Sequence, residues 1–444
     1  MKLSFGRGGV HPPEMKLTSG VAVKDMPLPM KVTISMAQSL GRPAQPIVTK
    51  GQHVNRYDKI GEQQGPISAN VHTPISGTVK DIAPVAANDG HYVMSVVIEA
   101  SEEDHQADLQ MICDARPQHT LDEVATMEPT AIVDQIREAG IVGLGGATFP
   151  AAVKLAPPKD SKAEYLLVNG AECEPYLTCD EAIMCAMPDE IIAGILIMMR
   201  ATGVEKAIVG IENNKPAAIE RLKKAARSYP GISVVGLRTR YPQGGEKMLA
   251  KALTGREIAP GQLPITQGVI IQNVATALAV YHAVIWGIPL VERVLTISGA
   301  TFEQRGNYRM VVGTPLKDVV DSLGGVPEQA VKIVAGGTMM GRSMADVEGF
   351  TTKGLSGLLF LSEEETDLEE PSPCVKCGKC VDSCPMGLQP YLIARLVELG
   401  RVEDALQHHL MDCMECGCCN YSCIARRRLV DWIRIGKIEA RKLK

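Results

Sequence analysis

The chain has 444 residues, more than one hydrophobic core organises, so several domains are expected. Hydrophobic residues make up 45% and charged residues 22%, which excludes a mostly disordered chain. With 4% aromatics and a formal net charge of −5, neither a base-stacking surface nor a phosphate-binding footprint is present, so no nucleic-acid partner is expected.

The opening, Met1 to Gly9, turns glycine-rich before an apolar run can form, so no secretory signal is expected. Residues 1–113 read as short strands and turns. Gly51–Ile60 and Val71–Val79 pattern as two halves of a barrel-sandwich hybrid like that of biotinyl and lipoyl domains. A carrier of that kind needs a lysine at the turn between the halves. Glu62–Asn70 contains none, so swinging-arm chemistry is excluded.

Asp114–Leu121 is polar and contains proline, which marks a boundary. Residues 122–290 then alternate helical patterns with the apolar strands Tyr165–Val168, Lys206–Ile211 and Ile232–Leu237, a Rossmann-like α/β domain with a largely parallel sheet. The longest apolar stretch, Val269–Val291, holds Gln272, Asn273 and His282 and ends in Gly287 and Pro289, while Ile191–Met199 is short. Both are expected as buried core helices, with no transmembrane segment. Residues 291–347 read as a small β-rich module, in which no chemistry is evident. Residues 348–371 end in the acidic run Glu363–Pro371 and read as a solvated linker.

Thirteen cysteines without a secretory signal point to metal ligation or redox chemistry. Cys113, Cys173, Cys179 and Cys185 are scattered; the others lie within residues 372–444. There the spacing Cys374-x2-Cys377-x2-Cys380-x3-Cys384 recurs as Cys413-x2-Cys416-x2-Cys419-x3-Cys423. This is the spacing of paired 4Fe–4S clusters with crossed ligation. Cys374, Cys377, Cys380 and Cys423 are assigned to one cluster, and Cys413, Cys416, Cys419 and Cys384 to the other. Zinc has no use for four-cysteine sets written twice. Ile424 stands where the first set has Pro385, and Cys418 is spare beside Cys419. Apolar positions between Gln389 and Met411 recur at helical spacing, so an α-helical ferredoxin-like module is expected. Its basic end, from Arg426 to Lys444, reads as a solvated helix or a docking helix for an acidic partner or membrane surface.

The middle domain carries a glycine-rich loop, Gly140–Pro150, followed by Lys154. Glycines let a backbone approach a flat or anionic ligand. Directly after a strand comes Asn169-Gly170-Ala171-Glu172-Cys173-Glu174-Pro175, where α/β sheets bind ligands. Gly244-Gly245-Glu246-Lys247 and Gln272-Asn273-Val274-Ala275-Thr276 follow.

These four pieces, in this order, resemble the flavin- and NADH-binding subunit of respiratory complex I. With the opening Phe5–Pro13 and the tandem cysteine sets, almost the whole chain resembles the RnfC family, the C subunits of Rnf ion-translocating ferredoxin:NAD oxidoreductase complexes. The resemblance implies an FMN site at Gly143, Gly145, Gly146 and Lys154, with Asn169, Asn273 and Thr276 bonding the flavin. It places Glu174 and Glu246 near the nicotinamide of NAD(H) and Glu172 among the cofactor-binding residues, with Phe149 stacking on the flavin or NADH. Ala171 replaces the family's Asp, and Gln272 replaces its first Asn. Residues 291–347 resemble the β-grasp (SLBB-like) module of the same family. A peripheral subunit on the cytoplasmic face of the membrane is implied, with the other members of the complex and ferredoxin-type carriers as partners. The alternatives are a cobalamin reductase of the microcompartment type, which shares this frame, and a cluster-only electron-transfer adaptor.

Overall fold

The structure, a computed structural model, describes residues 3–158 and 160–443. Near the N-terminus, two small sheets face one another. One contains Lys31–Ser35, Tyr92–Glu99, Gly77–Ala86 and His53–Val54; the other contains Gln45–Pro46, Lys59–Glu62 and Val71–His72. Alternation along Lys31–Ser35 turns Val32 and Ile34 inward, opposite Ile98 and Val96 across the ladder. Their core also takes in Ile60, Ile75 and Val79 from the second half.

The middle domain is built on a wholly parallel sheet ordered Ile232–Leu237, Ala207–Glu212, Tyr165–Gly170 and Val269–Asn273. Parallel strands must be covered on both faces. Leu166 and Val168 pack under the helices Pro188–Thr202 and Val274–Trp286, whereas Leu167 packs with Leu237, Leu249 and Ile271 on the other side. The expectation of a single helix over Val269–Val291 is corrected here. Val269–Asn273 is an edge strand, and a helix begins only at Val274, where the Asn273 side chain caps it. A continuous apolar run shows no period that separates a buried strand from a buried helix.

A six-stranded mixed sheet follows, ordered Val23–Asp25, Gly306–Val311, Glu292–Ser298, Gly357–Ser362, Ala330–Ala335 and Arg342–Met344. The linker expected over 348–371 is therefore partly wrong. Gly357–Ser362 is a strand buried along its whole length, parallel to Glu292–Ser298 and antiparallel to Ala330–Ala335. Only after it does the acidic stretch run exposed, apart from a single 3-10 turn at Glu363–Glu365. The first strand of this sheet comes from the N-terminal segment, which the expected barrel boundaries at 1–113 had included.

The C-terminal module is helical: Lys379–Asp382, Pro390–Glu398, Val402–Gln407, Cys418–Tyr421 and Leu429–Lys442. Ile393, Val397, Leu410 and Ile433 form its core. The helical stretch between the cysteine sets is broken at Gly400, whose φ is +73°. Among the described residues, no single helix is long and apolar enough to cross a membrane.

Candidate functional site

The parallel sheet ends in two asparagines side by side, Asn169 and Asn273, which are partners in register. The Asn169 amide donates to the Gly244 carbonyl over 2.9 Å, and its oxygen accepts from the Ala171 amide. The Asn273 oxygen accepts from the Ala275 amide at 2.8 Å, while its nitrogen donates to the Asp180 carboxylate at 2.7 Å. The Thr276 hydroxyl accepts from the Leu144 amide at 2.9 Å. All three side chains thus hold the strand ends, the acidic loop and the glycine loop together.

Within the glycine loop, the Gly143 amide donates to the Phe149 carbonyl at 2.8 Å, so the intervening residues bulge outward. Gly145, Gly146 and Ala147 are exposed. Gly146 has φ +138°, and no atom lies within 4 Å of where a Cβ would stand. Bare backbone on this side suits the close approach of a flat ligand. Gln272, at the neighbouring strand end, is buried, and neither polar atom of its amide has a protein partner. A buried amide normally finds partners. The open glycine backbone and this unpaired amide fit a planar group with a polar edge, as the isoalloxazine of FMN is. Lys154 pairs with the Glu246 carboxylate, donates to the Ile271 carbonyl at 3.3 Å, and lies 5.9 Å from the centre of the Phe149 ring.

The acidic loop is fastened from below by two lysines. The Lys215 ammonium donates to the Ala171 carbonyl at 2.8 Å, and Lys16 donates to the carbonyls of Glu172, Glu174 and Leu177. Glu172, at φ +46°, accepts from the Asp180 and Glu181 amides and so satisfies the start of the helix Cys179–Ala186. Glu174 accepts from the Met339 amide at 3.0 Å and faces the Tyr241 hydroxyl at 3.5 Å. Removal from water pushes the Glu174 carboxyl up to about 7, against the pull of the Met339 and Met340 amides. Gly337 permits this approach, because a Cβ there would come within 2.3 Å of the carboxylate.

The two cysteine sets sit on matching turns. Lys376 and Glu415 both have positive φ, as do Gly378 and Gly417, and each turn leads into a short helix. In this repeat Lys379 corresponds to Cys418, and Cys380 corresponds to Cys419. Cys384, Cys413, Cys416, Cys418 and Cys419 line one cavity, with Met414 and Ile433. Burial pushes the Cys413 thiol up to about 11, with Cys416 and Cys384 adding to the rise. Burial also raises Cys380, with Cys423 and Cys374 contributing. Cys384 of the first set thus lies among the cysteines of the second, the placement that crossed ligation requires. Amides of Leu388, Glu415 and Arg427 donate to the sulfurs of Cys384, Cys413 and Cys423 at 3.3 to 3.4 Å, contacts of the kind that tune cluster potential.

The sets differ in their surroundings. Cys374 and Cys377 are exposed. Cys416 instead lies against the middle domain, its carbonyl accepting from the Tyr241 hydroxyl at 2.7 Å. Cys173, Tyr241, Met339, Met414, Cys416 and Cys418 form one apolar cluster there. Sequence reading missed Tyr241, Lys16, Arg240 and the Gly336–Gly341 turn of the β-rich module. The glycines at 336, 337 and 341 were its only local signal.

Four family descriptions match the chain in turn. They are an RnfC barrel sandwich hybrid domain over residues 4–103, a Nuo51 FMN-binding domain over 136–282, an SLBB domain over 294–343, and a 4Fe-4S dicluster domain over 366–424. The chain is 42% identical, over 98% of its length and 94% of the relative's, to the C subunit of the proton-translocating ferredoxin:NAD(+) oxidoreductase complex of Clostridium ljungdahlii. It is 40% identical, over 98% of its length and 96% of the relative's, to the C subunit of the Na(+)-translocating ferredoxin:NAD(+) oxidoreductase complex of Acetobacterium woodii. Among solved structures, an NAD+-reducing [NiFe]-hydrogenase in the H2-reduced state matches at 20% identity and TM-score 0.49, covering 76% of this chain and 70% of that one. The FMN-binding and dicluster matches mark an electron-transfer protein, and the full-length relatives show that the chain belongs to the RnfC family, the C subunits of ion-translocating ferredoxin:NAD(+) oxidoreductase complexes.

Proposed function

We propose that this chain exchanges hydride equivalents with NAD(H) at an FMN held by the glycine loop and passes single electrons through two 4Fe–4S clusters. FMN, when bound, supplies the conversion between a two-electron hydride and one-electron steps. The protein's part is to bind and orient. Gly143, Gly145 and Gly146 bare the backbone, Lys154 offers a cation, and the orphaned Gln272 amide offers a donor and an acceptor. Glu174 and Glu246 flank the space where a nicotinamide would lie against the flavin. Glu246 holds Lys154, and Glu174 is held by the Met339 amide.

The observation that carries this reading is the Tyr241 hydroxyl bonded to the Cys416 carbonyl. It joins the middle domain to a ligand of the cluster bound by Cys413, Cys416, Cys419 and Cys384. That cluster is the nearer to the flavin, and the one at Cys374, Cys377, Cys380 and Cys423 faces outward, with Cys374 and Cys377 exposed for exchange with a partner. The partners are a ferredoxin-type carrier and the other members of a membrane-bound complex, on whose cytoplasmic face this protein sits peripherally.

The test is anaerobic purification with iron and flavin determination, followed by addition of NADH. About eight irons and one FMN per chain, with flavin and cluster absorbance both bleached by NADH, support the reading. Iron without flavin, or no bleaching, overturns it.

A further inference from the structure

The N-terminal segment is the one motif of the sequence that the proposed chemistry leaves unused, and its course is unusual for residues preceding a barrel. It runs between the middle domain and the cluster module and is bonded to both. On the middle-domain side, Leu3 bridges Leu237, and Val10 exchanges two backbone hydrogen bonds with Tyr241, at 2.8 and 3.0 Å. The Arg240 guanidinium stacks 4.6 Å from the Phe5 ring centre and donates to the carbonyls of Phe5, Gly6 and Gly8. On the cluster side, the Gly9 amide donates to the Ser383 carbonyl at 2.8 Å.

Gly8 lies where these attachments meet. Its φ is +69°, and a Cβ would stand 2.5 Å from the carbonyl carbon and oxygen of Cys384. Contacts under 3 Å to a fixed backbone force a shift, and an L side chain at this φ is strained as well. Gly9 is equally confined, with the Tyr241 carbonyl 2.7 Å from its Cβ position. The segment thus touches Cys384, the ligand that the first set lends to the nearer cluster, and pairs with Tyr241, whose hydroxyl holds Cys416 of the same cluster. Strap, Tyr241 and two ligands of one cluster form a closed ring of contacts.

We propose that the opening Phe5–Val10 is a positioning strap that fixes the cluster at Cys413, Cys416, Cys419 and Cys384 against the flavin domain, with Gly8 as its positioning residue. Electron transfer between fixed centres falls steeply with separation. A strap that ties the Cys384 backbone to the flavin domain through Gly8 therefore sets the rate of the flavin-to-cluster step and leaves hydride exchange at the flavin untouched. Gly8 is chosen over a larger residue because only bare backbone lets the two domains meet at this distance. The inference rests on the flavin-to-cluster reading given above.

The experiment is rapid mixing of the full holoprotein with NADH, following flavin and cluster absorbance separately, in the parent chain, in Gly8→Val and in Arg240→Gln. Iron and flavin contents are measured alongside. The expected result is flavin bleaching within twofold of the parent rate and cluster bleaching slowed at least tenfold in Gly8→Val, at unchanged iron and flavin content. Arg240→Gln, which loosens the strap without a new clash, gives a smaller slowing of the same phase. A cluster phase at the parent rate in both variants overturns the strap. A parent chain in which NADH bleaches flavin but never the clusters overturns the flavin-to-cluster reading, and the strap with it. An independent readout needs no electron transfer. Hydrogen exchange in the full holoprotein should find the Gly9 and Val10 amides protected in the parent and unprotected in Gly8→Val. Exchange at the rate of an unstructured peptide in the parent also overturns the proposal.

Discussion

The Tyr241 hydroxyl donates to the Cys416 carbonyl over 2.7 Å while facing the Glu174 carboxylate at 3.5 Å. One phenol therefore bridges the acidic loop of the middle domain and a cysteine of the nearer cluster. Tyr241→Phe leaves a buried carbonyl without its donor, a loss of about 1–3 kcal/mol. Flavin content should stay at the parent level. The signal of the nearer cluster in electron paramagnetic resonance should broaden, and the outward cluster should keep its spectrum. Identical spectra for both clusters would show that the bond does not hold Cys416 in place.

Lys154, beside the glycine loop, pairs with an exposed carboxylate, Glu246. Lys154→Met should weaken FMN binding by roughly ten- to a hundredfold, the loss of about 1.5–3 kcal/mol expected for a hydrogen bond to a charged group. Fluorescence titration of the apo chain with FMN measures it. Unchanged affinity would place the flavin phosphate elsewhere.

Glu174→Gln keeps the shape of the side chain and removes its charge. NADH oxidation should fall about tenfold or more, while both clusters keep their spectra, since the Glu174 carboxylate bonds to the Met339 amide and the Tyr241 hydroxyl. Steady-state rates with an artificial acceptor, beside visible spectra, decide the point. Full turnover would remove Glu174 from the nicotinamide site.

The internal repeat makes Cys418 the counterpart of Lys379 and Cys419 the counterpart of Cys380. Cys418→Ser should therefore retain about eight irons per chain, whereas Cys419→Ser should lose up to about four. Iron and sulfide analysis reads this directly, and the reverse pattern would exchange the two roles.

Lys353 is buried and donates to the carbonyls of Asn70 and Gly140, tying the barrel to the root of the glycine loop. Burial lowers its pKa from the ordinary 10.5 to about 7. Between those values the unfolded chain binds more protons than the folded one, so this group makes stability rise as pH rises from 7 to 10.5. Lys353→Met should flatten that rise and, near its upper end, lower stability by about 1–3 kcal/mol for each stranded carbonyl. Urea unfolding at about pH 7 and about pH 9.5 tests both. An unchanged slope would mean that Lys353 stays charged within the fold.

The sequence by itself determined the cofactor chemistry. Paired clusters of this kind are held by a characteristic cysteine spacing, and that spacing, written twice, is a local pattern that survives without any tertiary context. The same holds for the three strands Tyr165–Val168, Lys206–Ile211 and Ile232–Leu237, each short and bounded by turn signals. Val269–Asn273 and Gly357–Ser362 were not legible. Each is a continuous apolar run, the first fused to a helix and the second to an acidic tail, and burial on both faces erases the period that names a strand. The roles of Asn169, Asn273 and Thr276 also waited on the fold, because a polar side chain at a strand end serves a ligand or the scaffold according to which partners arrive. Tertiary structure alone brought Tyr241 to Cys416, Met339 to Glu174 and Gly8 to Cys384. Those contacts join segments far apart in the chain, and no local preference encodes a meeting that only the packing of three domains creates.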